Sequence, residues 1–228
     1  MKIKAFLVLV PSLFIALPAL AADWSGPYIG AHLGGLTGHV SVRDDSLGVD
    51  PGPFDYDIGG VFGGGTVGYN WQSGSLVFGA EGDIGYLSPN GSGIIGSSHA
   101  DHHQDLTLGG GAYADATVRG GVAVDQTLVY LKAGAAFFGG TADQVTTTPG
   151  YGATATGGFS GWTAGAGIEQ MISDKLSVKL EYQHFGFGEA HGYQTALVAD
   201  FPTPAGTTFD NYHTPSIDTL KLGVNFHY

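Results

Sequence analysis

Thr219-Leu220-Lys221-Leu222-Gly223-Val224-Asn225-Phe226-His227-Tyr228 closes the chain on an unbroken alternation. Side chains of an extended strand point to opposite faces in turn. Leu220, Leu222, Val224, Phe226 and Tyr228 therefore share one face, and Thr219, Lys221, Gly223, Asn225 and His227 share the other. A soluble sheet also alternates, but it rarely ends on a wholly apolar face with aromatics at its last two outward positions. A strand that leaves lipid through an interfacial aromatic girdle does so as a rule. The stretch reads as the closing strand of a transmembrane β-barrel.

The other end carries an export address. Lys2 and Lys4 precede the apolar run Ala5 to Leu17, and Ala19-Leu20-Ala21 has the small-x-small form of a cleavage site. Residues 1–21 are expected to be a cleaved secretory signal peptide, with residues 22–228 forming one barrel domain. Pro11 and Pro18 argue against a buried core helix there. No later segment approaches the ~18 consecutive apolar residues of a transmembrane helix. Insertion must then be as a closed barrel, since lipid offers no partner to an open sheet edge.

Composition narrows the function classes. With no cysteine, lipidation of an N-terminal Cys, disulfides, thiolate metal sites and thiol catalysis are all excluded. Glycine supplies 40 of 228 residues without a collagen period, and charged residues are only 12%, about half the ordinary share. Such a chain hides apolar side chains singly, on alternate positions. A formal net charge of −12 argues against nucleic acid as a partner.

Seven further alternating segments precede the last. Outward sets are Ile29, Ala31 and Leu33; Val61, Val67, Tyr69 and Trp71; Leu76, Phe78, Ala80, Ile84 and Tyr86; and Ala116, Val118, Val122 and Val124. They continue with Val129, Leu131, Ala133, Ala135 and Phe137; Trp162, Ala164, Ala166 and Ile168; and Val178, Leu180 and Tyr182. Connections near Gln72, Asp125 and Ser173 are short, whereas those at roughly 41–57, 88–108, 139–158 and 186–215 are long. Short periplasmic turns and long external loops are the outer-membrane pattern. The expected fold is all-β: an eight-stranded antiparallel up-and-down barrel, with ten strands left open should a loop conceal a hairpin. Trp24, Trp71, Phe226 and Tyr228 are expected at the periplasmic girdle, and Tyr86, Phe137 and Trp162 at the external one.

Several segments carry recognisable words: D-W-S-G-P-Y-I-G at 23–30, G-Y-N-W-Q at 68–72, F-G-A-E-G-D at 78–83, G-W-T-A-G-A-G-I-E at 161–169 and L-K-L-G-V-N-F at 220–226. As a set they resemble the RopB-type family of alphaproteobacterial outer-membrane proteins, within the opacity-like and OmpA-type eight-stranded barrels. The resemblance implies a structural, surface-exposed outer-membrane protein, with lipopolysaccharide and membrane lipids around it. Some relatives of this kind serve as adhesins, porins or haem binders through their loops. It also implies that Phe226 and Tyr228 are read by the barrel-insertion machinery.

The inward register collects Glu81, Asp83, Arg119, Lys132, Glu169, Lys179, Glu181 and Lys221. An eight-stranded barrel is just wide enough for side chains to fill it. Four acids and four bases therefore read as an ion-pair plug rather than as paired catalytic carboxylates, which need a pocket. Gly63-x-Gly65-x-x-Gly68 matches a dinucleotide fingerprint only as a string, because Thr66, Val67 and Tyr69 continue a strand where a helix should open. No nucleophile elbow or paired-histidine zinc motif occurs, and no cofactor is expected. His99, His102 and His103, with Asp101, are weak metal or haem candidates, and His184, His191 and His213 form a second group. Asp44, Asp45, Asp50, Asp55, Asp57, Asp101 and Asp105 suit either a solvated acidic rim or divalent cations bridging to lipopolysaccharide. The expected role is a non-enzymatic structural and surface-interaction barrel. A small diffusion pore, and haem, metal or host-ligand binding by the loops, are the alternatives.

Overall fold

The computed structural model describes residues 22–44, 54–96, 103–146, 154–195 and 208–228, so the expected signal peptide lies outside the described residues. Eleven strands follow one another: β1 (Gly26–Asp44), β2 (Phe54–Ser73), β3 (Leu76–Asn90), β4 (Ser92–Gly96), β5 (His103–Leu108) and β6 (Gly111–Val124). Then come β7 (Thr127–Thr146), β8 (Thr154–Ser173), β9 (Leu176–Phe187), β10 (Ala190–Thr195) and β11 (Thr208–His227).

Eight of them close a ring, β1-β2-β3-β6-β7-β8-β9-β11 and back to β1, every pair antiparallel. The closing seam runs from Tyr28 opposite His227 to Asp44 opposite Asn211. The remaining three lengthen the wall without joining the ring. β4 pairs with β5, β5 with the upper part of β7, and β10 with the upper part of β11. The barrel is eight-stranded, and the concealed strands stand above it.

The turns at the other rim are tight. Gly74-Ser75, Asp125-Gln126 and Asp174-Lys175 connect their hairpins. Gly74 has φ +61° and Asp125 φ +54°, the left-handed conformation that such two-residue connections require. The long connections are shorter than the composition suggests. β1 and β2 reach to 44 and back from 54, and β7 and β8 to 146 and back from 154. Gly, Asp and Pro in these stretches read as loop, yet paired neighbours on both sides keep them extended.

Every inward and outward assignment made along the eight ring strands holds in the structure. Leu33, Val67, Ile84, Val118, Leu131 and Leu222 are each 61–69% exposed on the outer wall, where lipid would cover them. Trp71, Phe226 and Tyr228 are exposed at one end of that band, and Tyr86, Phe137 and Trp162 at the other. Trp24 is the exception: it is fully buried inside the barrel mouth, not in the girdle. Its residue precedes β1, so strand parity had no hold on it.

Candidate functional site

The lumen is filled in three layers. At the periplasmic mouth the segment ahead of β1 folds inward. Ala22 N–H donates to the Asp125 carbonyl at 2.9 Å, and Trp24 N–H to Gln72 Oε1 at 2.7 Å. The Trp24 ring then seats among Val77, Leu128, Tyr130 and Met171, edge-on to His227 at 5.7 Å.

Above it lies the polar layer, and all eight expected residues converge there. Glu81 is the hub: Lys132 Nζ reaches it at 2.6 Å, Lys179 Nζ at 3.2 Å and Arg119 Nη1 at 3.4 Å, while Tyr28 OH donates at 2.8 Å. Asp83 receives Lys221 Nζ at 2.5 Å, Lys132 Nζ at 3.3 Å and Thr66 OH at 2.5 Å. Glu181 lies 2.7 Å from Lys221 Nζ and 3.2 Å from Lys132 Nζ, and accepts from Tyr130 OH at 2.5 Å. Glu169 takes Arg119 Nη1 at 3.1 Å, Asn225 Nδ2 at 2.6 Å and Ser177 OH at 2.5 Å.

Unpaired charges in such an interior would be prohibitive, so pairing is a condition of the fold. Some of the ion pairs also cross the ring. Lys179 and Lys221 reach β3 from β9 and β11, spanning 98 and 138 residues of sequence. Hairpin hydrogen bonds join only neighbours, whereas these pairs brace opposite walls.

The Arg119 guanidinium sits between two tyrosine rings, 4.6 Å from the centroid of Tyr28 and 5.0 Å from that of Tyr130. Each ring lies over a glycine in register with it, Gly68 and Gly167 respectively, where a side chain would occupy the ring's place. Gly68, last residue of the fingerprint-like string, thus makes room for Tyr28 rather than for a phosphate.

Asp115, inward by register but outside the expected set of ion-pairing residues, is a fifth acid in the layer. It is buried directly opposite Asp83, and its carboxylate accepts a hydrogen bond from Gln183 Nε2 at 3.1 Å. Its inward register was legible. That an amide rather than a cation would serve it was not, because Gln183 lies 68 residues away.

A relay marks the upper boundary. Thr66 OH is committed to Asp83, so His32 Nδ1–H donates to Thr66 at 3.0 Å and His32 Nε2 accepts from Tyr113 OH at 2.5 Å.

Beyond His32 the inside turns apolar. Leu36, Val40, Ile58, Phe62, Leu87, Tyr113, Phe138, Phe159, Phe185, Phe187 and Ile217 form one buried cluster. Phe138 stacks on Phe159 at 5.9 Å, and Phe185 on Phe187 at 6.0 Å. The expected ion-pair plug does not fill the lumen from end to end. It occupies only the middle, because the upper strands rise past the lipid and pack as a water-soluble sheet does, apolar side inward.

His99 and His102 lie outside the described residues, and His103 begins β5. His213 is buried inside the wall, while His184 lies on its outer face against Asp218, so the two cannot share an ion. Of the loop acids, Asp55 and Asp57 stand exposed on β2, and Asp55 accepts from Ser41 OH at 2.6 Å. Asp45, Asp50 and Asp101 lie outside the described residues, and Asp44 and Asp105 fall within β1 and β5. Glu81, Asp83 and Glu181 come close enough to hold a cation, but the lysine ammonium groups already stand among them.

A barrel of this kind has counterparts among known proteins. The model of the outer membrane protein β-barrel domain matches residues 6–227. The chain belongs to that family. It is 28% identical over 232 residues to a 31 kDa outer-membrane immunogenic protein of Brucella melitensis, covering 96% of this chain and 89% of that protein. It is 29% identical over 217 residues to a 22 kDa outer membrane protein of Rhizobium leguminosarum bv. viciae, covering 90% and 80%. Among solved structures, OprG of Pseudomonas aeruginosa aligns with a TM-score of 0.55 at 9% identity, over 90% of this chain and 98% of that one, a likeness of fold alone. The protein is an outer-membrane barrel of the Gram-negative envelope.

Proposed function

We propose that this barrel is a structural, non-conducting, non-enzymatic component of the outer membrane that presents its external strand extension and loops at the cell surface. The observation that carries this reading is the threefold filling of the lumen: the Trp24 seat, the ion-pair layer and the aromatic core. A pore needs a continuous water path, and an enzyme needs a pocket that admits substrate. The immunogenic outer-membrane proteins among the relatives support exposure of the outer end, and a barrel braced across its own diameter suits a role in envelope integrity. Lipopolysaccharide and lipids are its surroundings, the insertion machinery its assembly partner, and any host ligand would meet the loops.

Conductance in a planar bilayer tests the reading. The wild-type barrel is expected to show no steady current. Arg119→Ala is expected to destabilise it, and any current that variant carries should favour cations, because acids then outnumber bases further. A large, stable wild-type conductance would end the proposal in favour of a diffusion pore.

A further inference from the structure

Above the lipid the wall is continuous on one side and interrupted on the other. The β11-β1-β2 side is unbroken: β1 pairs with β11 from Tyr28 to Asp44 and with β2 from Gly26 to Val42, without a register shift. The opposite side breaks at one level. The β6–β7 pairing ends at Tyr113 opposite Phe138, and β5 takes over at Leu108 opposite Ala142. Between β7 and β8 the register shifts from Phe138 to Thr141, and β3 gives way to β4 at Gly91. Three adjacent strands carry a glycine pair at this break: Gly109-Gly110 between β5 and β6, Gly139-Gly140 in β7 and Gly157-Gly158 in β8. Gly109 N–H donates to the Thr141 carbonyl at 2.6 Å, so the first two lie side by side. Gly158 has φ +85°, a conformation that other residues rarely adopt. Glycine pairs do not by themselves break a strand, since Gly59-Gly60 in β2 stays paired with both β1 and β3.

Above the break, β4, β5, residues 141–146 of β7 and residues 154–157 of β8 make one four-stranded sheet. Among the described residues no strand pairing ties its two edges to the rest of the wall, neither β4 to β2 nor β8 to β10. Its inner face is lightly held as well. Among the residues whose side chains are described, the sheet gives the upper core only Leu108 and Ala142. The aromatic mass of that core, Phe138, Phe159, Phe185 and Phe187, lies below the break, and the Phe138 ring covers Gly140. Opening along unpaired edges breaks no ladder hydrogen bond, so the sheet can move as a unit at far lower cost than its own unfolding.

We propose that this sheet is a hinged flap. It swings outward as one body on the glycine level, while β11, β1 and β2 stay in place, and bares the apolar interior above Phe138. The register shift in β7 and the left-handed Gly158 absorb the rotation. The ion-pair layer lies below the hinge and takes no part, so the flap opens whether or not the lumen conducts.

The chain contains no cysteine, so a single introduced thiol reports on the flap. Ala142 and Ala136 are both fully buried on the inner side of β7, one above the hinge and one below. In barrels folded into phosphatidylcholine bilayers, a membrane-impermeant maleimide is expected to label Ala142→Cys roughly a hundredfold faster than Ala136→Cys, as a local opening allows. Heat-modifiable migration on a gel reports folding, and Leu108→Cys replaces Ala142→Cys should that variant not fold. Hydrogen exchange on the unsubstituted protein supplies the second reading. A flap that moves as one body keeps its internal bonds, so β5 amides should be protected as well as those of residues 38–42 in β1. Equal labelling of the two cysteines overturns the flap. Fast exchange throughout β5 also overturns it, since the strands would then be fraying singly.

Discussion

The wall of this barrel has two regions with one geometry and opposite chemistry. In the lower part of β1, Ile29, Ala31 and Leu33 face out and Tyr28 and His32 face in; in the upper part, Thr37, His39 and Ser41 face out and Leu36, Val40 and Val42 face in. β2 repeats this, with Val67, Tyr69 and Trp71 outward below and Asp55 and Asp57 outward above, against Thr66 and Asn70 inward below and Tyr56, Ile58 and Phe62 inward above. No residue is inserted at the crossover, and the β1–β2 pairing runs unbroken from Gly26 to Val42. The strand does not change; its solvent does. Below, lipid takes the apolar side and the polar side must satisfy itself inside. Above, water takes the polar side and the apolar side packs inside, as in any soluble sheet.

The comparison is broken most severely by emptying either interior. Arg119→Ala removes the cation held by Glu81 and Glu169, leaving buried charge uncompensated, and should cost about 3–5 kcal/mol. Phe185→Ala opens a cavity in the upper core and should cost a similar ~3–5 kcal/mol. Equilibrium unfolding in urea from lipid bilayers measures both. The causes separate in the double variant Arg119→Met with Glu169→Gln, which should recover part of the first loss, whereas no charge change rescues the second. An Arg119→Ala barrel as stable as the wild type would show the polar layer to be wet rather than packed.

The outer face sharpens the comparison. Val67→Arg should cost roughly 2–4 kcal/mol if its depth is near the bilayer midplane. Asp57→Arg, on the same face of the same strand but above the lipid, should stay within about 0.5 kcal/mol. Equal costs at the two sites would mean that the boundary between the regions is misplaced. Smaller still in stability, but visible in assembly, is the replacement of Phe226 and Tyr228 with Ser. Their rings meet edge to face at 5.2 Å on the outside of the closing strand. The double variant is expected to be exported normally and to yield less heat-modifiable barrel in the outer membrane. Wild-type yield would deny these aromatics an assembly role.

Much of the barrel was legible before any coordinates. Period-two alternation is a local property, so Leu222 and Lys221, or Ile84 and Asp83, declare their faces from their neighbours alone. The eight ring strands, the short turns and the inward charges follow from that rule. Apolar-out alternation is lost by Val40 and returns past Ile58, because above the lipid the same alternation has the opposite sign. A polar outer face with Leu36, Val40 and Phe62 hidden behind it reads as loop to a rule that looks for lipid.

What the sequence by itself determined is therefore the wall: which residues extend, which face each takes and which medium the lower outer face must meet. Closure decided the contents. Trp24 finds its seat only when Val77, Leu128 and Met171 come round from three other strands. Asp115 finds Gln183, and Lys221 finds Asp83, only across a finished ring. Alternation specifies a direction for each side chain but not a partner, since the partners lie tens of residues away. Only the diameter and register of the closed barrel bring those directions together at hydrogen-bonding distance.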